Sequence, residues 1–162
     1  MNTFNNLEKA EIFKGLNQTQ LDLFKNCYQI KTFNEGTKIF SDQEPASSLW
    51  SVVVGSVDLR FDLPGRDTDQ ETTIAKIKEG NVLGWSSFVP PFRYRLSAYC
   101  SSKECQLIEI NRDCLLKTFE AHTQIGYQVM SNLAIVIGKR FQQLQDEVAL
   151  HEGDRLMHQK DN

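Results

Sequence analysis

Val82-Leu83-Gly84-Trp85-Ser86-Ser87-Phe88-Val89-Pro90-Pro91-Phe92-Arg93-Tyr94-Arg95-Leu96-Ser97-Ala98 is the stretch around which the chain is arranged. It opens on a glycine that permits a tight backbone turn. Ser86 and Ser87 stand where a short helix could begin, with main-chain N–H groups free to face an anion. Pro90-Pro91 would end that helix, and the chain then re-enters a strand carrying Arg93 and Arg95. A helix start facing an arginine is a seat for a phosphate or carboxylate. The plainer reading is a proline-ended surface loop with two solvated arginines.

Upstream, a period of two begins at Tyr28. Tyr28, Ile30, Thr32 and Phe33 predict a strand ending at Asn34-Glu35-Gly36, and Thr37 to Phe40 a short second one. The apolar run of Leu49, Trp50, Val52, Val53 and Val54 predicts a central strand that Gly55 ends. Val57, Leu59, Phe61 and Leu63 alternate with Ser56, Asp58, Arg60 and Asp62, the pattern of a strand with one wet face. Pro64 to Gln70 reads as a hairpin tip, with Thr72, Ile74 and Ile77 on the return strand. Downstream, Tyr94 to Ser101 and Cys105 to Ile110 are two further strands. About eight short strands joined by Gly, Pro and Asn turns predict a mainly β domain, a double-sheet jelly roll or small barrel.

Helices flank this roll. Phe4 to Cys27 carries two helical patterns, one closed by Gly15 and one capped by Asn17, forming a lid over the sheets. From Asp113 the period returns to 3.6, first in a short helix and then in a long one capped by Thr123 and running to about Leu150. Its apolar face is wider than one small barrel covers. Residues 123–150 are therefore expected to pair with a second copy as a homodimer. Gly138, costing about 1 kcal/mol in a helix interior, needs a close backbone contact to justify it. Glu152 to Asn162 is polar and expected to fray. The expected organisation is one domain over 4–150, made of a lid (4–27), a β-roll (28–111) and C-terminal helices (113–150), with a tail at 151–162.

The 162 residues suffice for one domain with a real core, and 40% hydrophobic with 24% charged residues is ordinary for a globular chain. The net charge of −3 argues against non-specific binding to nucleic acid or an anionic membrane, but not against one local anion site. No apolar run is long enough to span a membrane. Cys27, Cys100, Cys105 and Cys114 form no CxxC pair and read as reduced core thiols of a cytoplasmic protein.

Two short helices, an eight-strand roll with Gly36, Gly55, Gly80 and Gly84, and a long terminal helix resemble the cyclic-nucleotide-binding domain. This is the sensor module of the catabolite-activator (Crp/Fnr-like) family and of cyclic-nucleotide-gated kinases and channels. The resemblance implies that Gly84 begins a phosphate-binding helix and that Arg95, about eleven positions on, neutralises a cyclic phosphate. The glutamate that binds the ribose in that family is Trp85 here. Leu96 stands where a small residue usually follows the arginine, with Ser97 and Ala98 after it. The phosphate half of the site looks kept and the ribose half lost. Trp85 either stacks on a ring or fills core, and Arg95 either clamps an anion or pairs with a carboxylate. Arg140 and Phe141 fall near the place where the family's long helix touches the base.

The resemblance thus implies a non-enzymatic sensor with no cofactor, taking a small anionic ligand, a cyclic nucleotide among the candidates, at Gly84, Trp85, Ser86, Ser87, Arg95, Leu96 and Ser97. The alternatives are a nucleotide-free dimeric scaffold and a truncated transcription regulator. Fewer than about fifteen residues follow Leu150, too few for a helix-turn-helix, so no DNA binding by this chain is expected. His122, His151 and His158 lie off the strands, which argues against a metal-dependent jelly-roll enzyme. No nucleophile elbow, Walker loop or dinucleotide fingerprint is present.

Overall fold

The computed structural model describes residues 4–62, 65 and 68–158. The expectations at Leu63, at Pro64, Arg66 and Asp67 of the hairpin tip, and for the last four residues of the tail fall outside these. Eight strands form two antiparallel four-stranded sheets: β1 (Tyr28–Asn34), β2 (Lys38–Phe40), β3 (Ser48–Val54), β4 (Ser56–Arg60), β5 (Thr73–Lys78), β6 (Val82–Leu83), β7 (Ser97–Cys100) and β8 (Glu104–Asn111). The orders are β1-β8-β3-β6 and β2-β7-β4-β5, the expected double-sheet roll. β3 lies inside its sheet and is buried on both faces, which is why its sequence is apolar without alternation. Trp50 and Val52 face the space between the sheets, while Leu49 and Val53 face the helices.

The lid is more broken than its sequence suggests. Helices α1 (Phe4–Leu7) and α2 (Gln18–Leu21) alternate with 3-10 turns at Glu11–Phe13 and Asp22–Phe24. Asn17 caps α2 in a reciprocal capping box with Gln20. At the other end, α3 (Arg112–Ala121) is followed by α4 (Thr123–His158). The carbonyl of His122 accepts the first bond of α4 from Gly126, so Thr123 lies inside the helix and does not cap it. Gly126 lets the two helices approach, since a Cβ there would lie 2.7 Å from the Cβ of Phe119. α4 runs on to His158, past the expected fraying point. A Cβ at Gly138 would meet nothing within 4 Å among the described residues, so none of them supplies a contact that requires glycine there.

Three further expectations are corrected. β7 begins at Ser97, so Arg93 to Leu96 precede the strand. On β4 Val57 and Leu59 face the core as expected, but the polar face is not wet: Asp58 and Arg60 are buried, while Phe61, just beyond the strand, is half exposed. The alternation holds along the regular pairing with β7, so Asp58 and Arg60 share one face, where the Arg60 guanidinium donates to Asp58 at 2.9 Å and the two polar groups are buried as a pair. Cys27 and Cys114 are not free thiols but a disulfide. The register explains it: Tyr28 lies opposite Ile110, so the residue before β1 meets the first turn after β8, with Cα atoms 5.3 Å apart. Cys100 and Cys105 remain free and buried, and burial pushes the Cys105 thiol far above its ordinary pKa. The cysteines therefore no longer argue for a reducing compartment. Among the described residues, no helix is long and apolar enough to cross a membrane.

Candidate functional site

Gly84 sits at φ +79° and closes β6 into a one-turn 3-10 helix, Trp85–Phe88. A Cβ at Gly84 would stand 3.1 Å from the Ser48 carbonyl and 3.1 Å from the Tyr94 ring, so both the turn and the close packing require glycine. The Ser87 N–H is already donated to the Gly84 carbonyl. Ser86 and Ser87 are buried, and the Ser87 hydroxyl has no partner among the described residues. Tyr94 donates to the Ser48 carbonyl and accepts from the Trp50 indole, and its ring stacks on Phe40 at 3.8 Å. These aromatics fill the space between the sheets behind the turn.

The open space lies further out. A cleft of about 750 Å³ runs between the β4–β5 hairpin and α4. Trp85 and Leu96 line it from the Gly84 stretch, and Arg140 and Phe141 line it from α4. Its apolar walls include Leu59, Ile77 and Val136, and Lys76, Lys78 and Lys139 bring positive charge to it. Arg95 is not part of this lining. It is exposed, and among the described residues no hydrogen bond or ion pair holds it. Arg93 is also exposed and donates to the Gln43 carbonyl at 2.6 Å. Of the residues singled out by sequence, the fold gathers Trp85, Leu96, Arg140 and Phe141. It leaves Gly84, Ser86 and Ser87 behind the wall, Arg95 in solvent, and Ser97 in a separate cluster.

Arg140 is the cation built into the cleft. Its guanidinium donates through Nη2 to the Val82 carbonyl and lies 4.0 Å from Glu11, whose Oε1 accepts the Val82 N–H at 2.9 Å. Lid, α4 and the strand entering the Gly84 turn thus meet at one residue, Val82. Burial lowers the Arg140 pKa and Glu11 opposes this; the group stays charged at neutral pH. Its Nη1 is buried with no partner among the described residues.

Sequence reasoning missed the acidic cluster on the outer face of β4 and β7. Ser97, Tyr99, Thr68 and Lys38 all donate to Asp62. Burial would raise its pKa, but these bonds outweigh burial and hold it at about 2. The folded value lies below the unfolded one of about 3.9, so this stabilisation is present above that value and is lost as pH falls through about 2. Asp62→Asn is expected to cost roughly 1–2 kcal/mol at pH 7 and to flatten the loss of stability below pH 4, read by urea titration at several pH values. Equal slopes for the two proteins would contradict it.

Residues 30–122 match the cyclic nucleotide-binding domain family, and the chain belongs to it. The chain resembles a candidate cyclic nucleotide-binding protein of Geobacter metallireducens, with TM-score 0.71, 25% identity, and coverage of 87% of this chain and 99% of that one. It shares the fold of the catabolite activator protein of Thermus thermophilus, with TM-score 0.69, 23% identity, and coverage of 87% and 62%. It is 24% identical over 127 residues to potassium channel AKT1 of Arabidopsis thaliana, covering 78% of this chain but only 14% of the channel.

Proposed function

We propose that the chain is a regulatory sensor domain, not an enzyme, which takes a small anion with a ring or apolar body in the cleft between the β4–β5 hairpin and α4. A nucleotide monophosphate, cyclic or not, is the first candidate. The observation that carries this reading is the Arg140 guanidinium on the wall of a cleft that Trp85 and Phe141 also line; its Nη1 has no partner among the described residues, and a small turn of the side chain would offer it to an anion. An anion on that donor would act on the Arg140–Val82–Glu11 junction. Occupancy would thereby bias how the lid and α4 sit on the roll.

Output would pass through α4. Its Ile125, Val129, Leu133 and Val136 pack inward, leaving Tyr127, Met130, Ala134, Phe141, Leu144 and Val148 exposed, with Ile137 half buried. These seven recur at alternating steps of three and four, the seam of a two-stranded coiled coil. Ile137, Phe141 and Leu144 also line the cleft, so a partner helix on the seam would flank the ligand and couple pairing to occupancy. Sedimentation is expected to show a homodimer at tens of micromolar, weakened about tenfold or more by Val148→Glu, which lies on the seam but outside the cleft lining. A monomeric wild type would defeat the seam.

Calorimetric titration with cyclic AMP, cyclic GMP, AMP and inorganic phosphate tests the ligand. Heat with a nucleotide that Arg95→Ala leaves unchanged supports the cleft. Heat that Arg95→Ala abolishes moves the site to the Gly84–Arg95 stretch. A second reading, a nucleotide-free dimeric scaffold, is favoured by Trp85 in place of a carboxylate, by Leu96 on the cleft wall and by Arg95 in solvent. Absence of heat with every probe, together with a stable dimer, selects it.

A further inference from the structure

We propose that the Cys27–Cys114 disulfide is a reversible thiol–disulfide exchange site through which a dithiol reductant, small or protein-borne, loosens the lid from the C-terminal helices. Cys27 lies where the lid passes into β1: its N–H bonds the Phe24 carbonyl, and its carbonyl accepts the Asn111 N–H. Cys114 lies in the first turn of α3, where its N–H is taken by the capping Asn111 side chain at 2.9 Å. The bond thus ties the lid to the helix that leads directly into α4.

Three features suit it to exchange. A cavity of about 250 Å³, lined by Cys27, Gln29, Ser48 and Asn111 among others, opens on the Cys27 side of the bond and is the approach to that otherwise buried residue, 3% exposed. Cys114 is itself only partly buried. Its place at a helix N-terminus stabilises a thiolate, which makes it the better leaving sulfur. The reductant's thiolate attacks the Cys27 sulfur, and the bonding electron pair departs on Cys114, which is protonated from solvent. The reductant's second thiolate then attacks its own sulfur in the mixed disulfide, freeing Cys27 as a thiolate that takes up a proton. The protein gains two electrons and two protons, and the dithiol becomes a disulfide. Cys100 and Cys105, buried between the sheets, stay outside this chemistry.

The lid would feel the change. Cys27 shares one core cluster with Phe24, Leu115 and Phe119, and Asn132 of α4 donates to the carbonyls of Ile12 and Lys14. Once the covalent tie is cut, the lid is held by noncovalent contacts only, these and the Glu11 bonds to Gly80 and Val82 among them.

The full chain, folded and oxidised, is treated with dithiothreitol, and free thiols are tagged with a maleimide and located by mass. Tags are expected on Cys27 and Cys114 and not on Cys100 or Cys105, with reversal by oxidised dithiothreitol. Amide exchange should rise at least about tenfold over residues 10–27 and 112–121 while β3 and β8 are unchanged, and the Tm should fall by about 5–15 °C. Cys114→Ser should reproduce the reduced exchange pattern without reductant, and Cys27→Ser is the second variant should that one fail to fold. Tagging only after denaturation, four tagged thiols in protein handled under air, or reduction with no change in lid exchange would each overturn the proposal. None of these outcomes depends on whether the cleft binds a nucleotide.

Discussion

Asp58→Ala is expected to destabilise the domain by about 3–5 kcal/mol, because it strands a buried guanidinium. Asp58 and Arg60 are 2% and 7% exposed, and their side chains meet at 2.9 Å. The Arg60 guanidinium lies 4.9 Å from the centre of the Tyr99 ring, and its Nε is already buried without a partner among the described residues. Lys76 approaches Asp58 at 3.4 Å but is half exposed and can turn to solvent once the carboxylate is gone; Arg60 cannot. Burial would raise the Asp58 pKa, but Arg60, Ser101 and Lys76 outweigh it and hold the group ionised. Urea unfolding of Asp58→Ala, Arg60→Leu and the Asp58→Leu/Arg60→Leu pair measures the coupling. The paired apolar replacement should recover most of the loss, since what costs energy is the uncompensated charge. A single-variant cost below about 1 kcal/mol would mean that the pair is effectively solvated.

That pair also marks where the sequence misleads. On β4 an alternating pattern implies wet polar groups only if the polar side is uncovered. Here two opposite charges two residues apart satisfy each other beneath the hairpin, and nothing local announces this. β3 is the converse case: its Leu49–Val54 run, interrupted only by the small Ser51, is readable because burial on both faces leaves no alternating polar side. Asn17 and Gln20 are readable because a capping box is complete within four residues. The disulfide is not, since its halves are 87 residues apart and only the β1–β8 register brings them together. The cleft was half legible. Trp85, Arg140 and Phe141 reach it, but the counted arginine misses the wall by one place: Leu96 lines the cleft and Arg95 lies in solvent. Counting along a chain cannot fix which of two adjacent residues turns inward when an irregular loop separates them from the glycine. The arginine that does line the cleft, Arg140, stands on a helix over forty residues away.

Arg140→Met is therefore expected to weaken binding of whichever nucleotide gives heat with the wild type by about 10–150-fold, the loss of one charge-assisted hydrogen bond. Methionine keeps the packing of the stem but removes every donor. The protein should stay folded, with a loss of about 1–2 kcal/mol from the Val82 carbonyl left without its partner. It should also stay dimeric, because Arg140 is off the Tyr127–Val148 seam. Arg140→Lys separates charge from geometry. One ammonium cannot hold the Val82 carbonyl and reach an anion with a second, fixed donor as a guanidinium can, so lysine should recover less than half of the lost binding free energy. Full recovery by lysine would reduce Arg140 to a diffuse positive charge, a part that Lys76, Lys78 or Lys139 could equally play, and binding would then fall steeply with salt. Unchanged affinity in Arg140→Met would remove the guanidinium from the site altogether. The Arg140–Val82–Glu11 junction would then be a structural clasp only, and any signal reaching α4 would have to enter from another face of the roll.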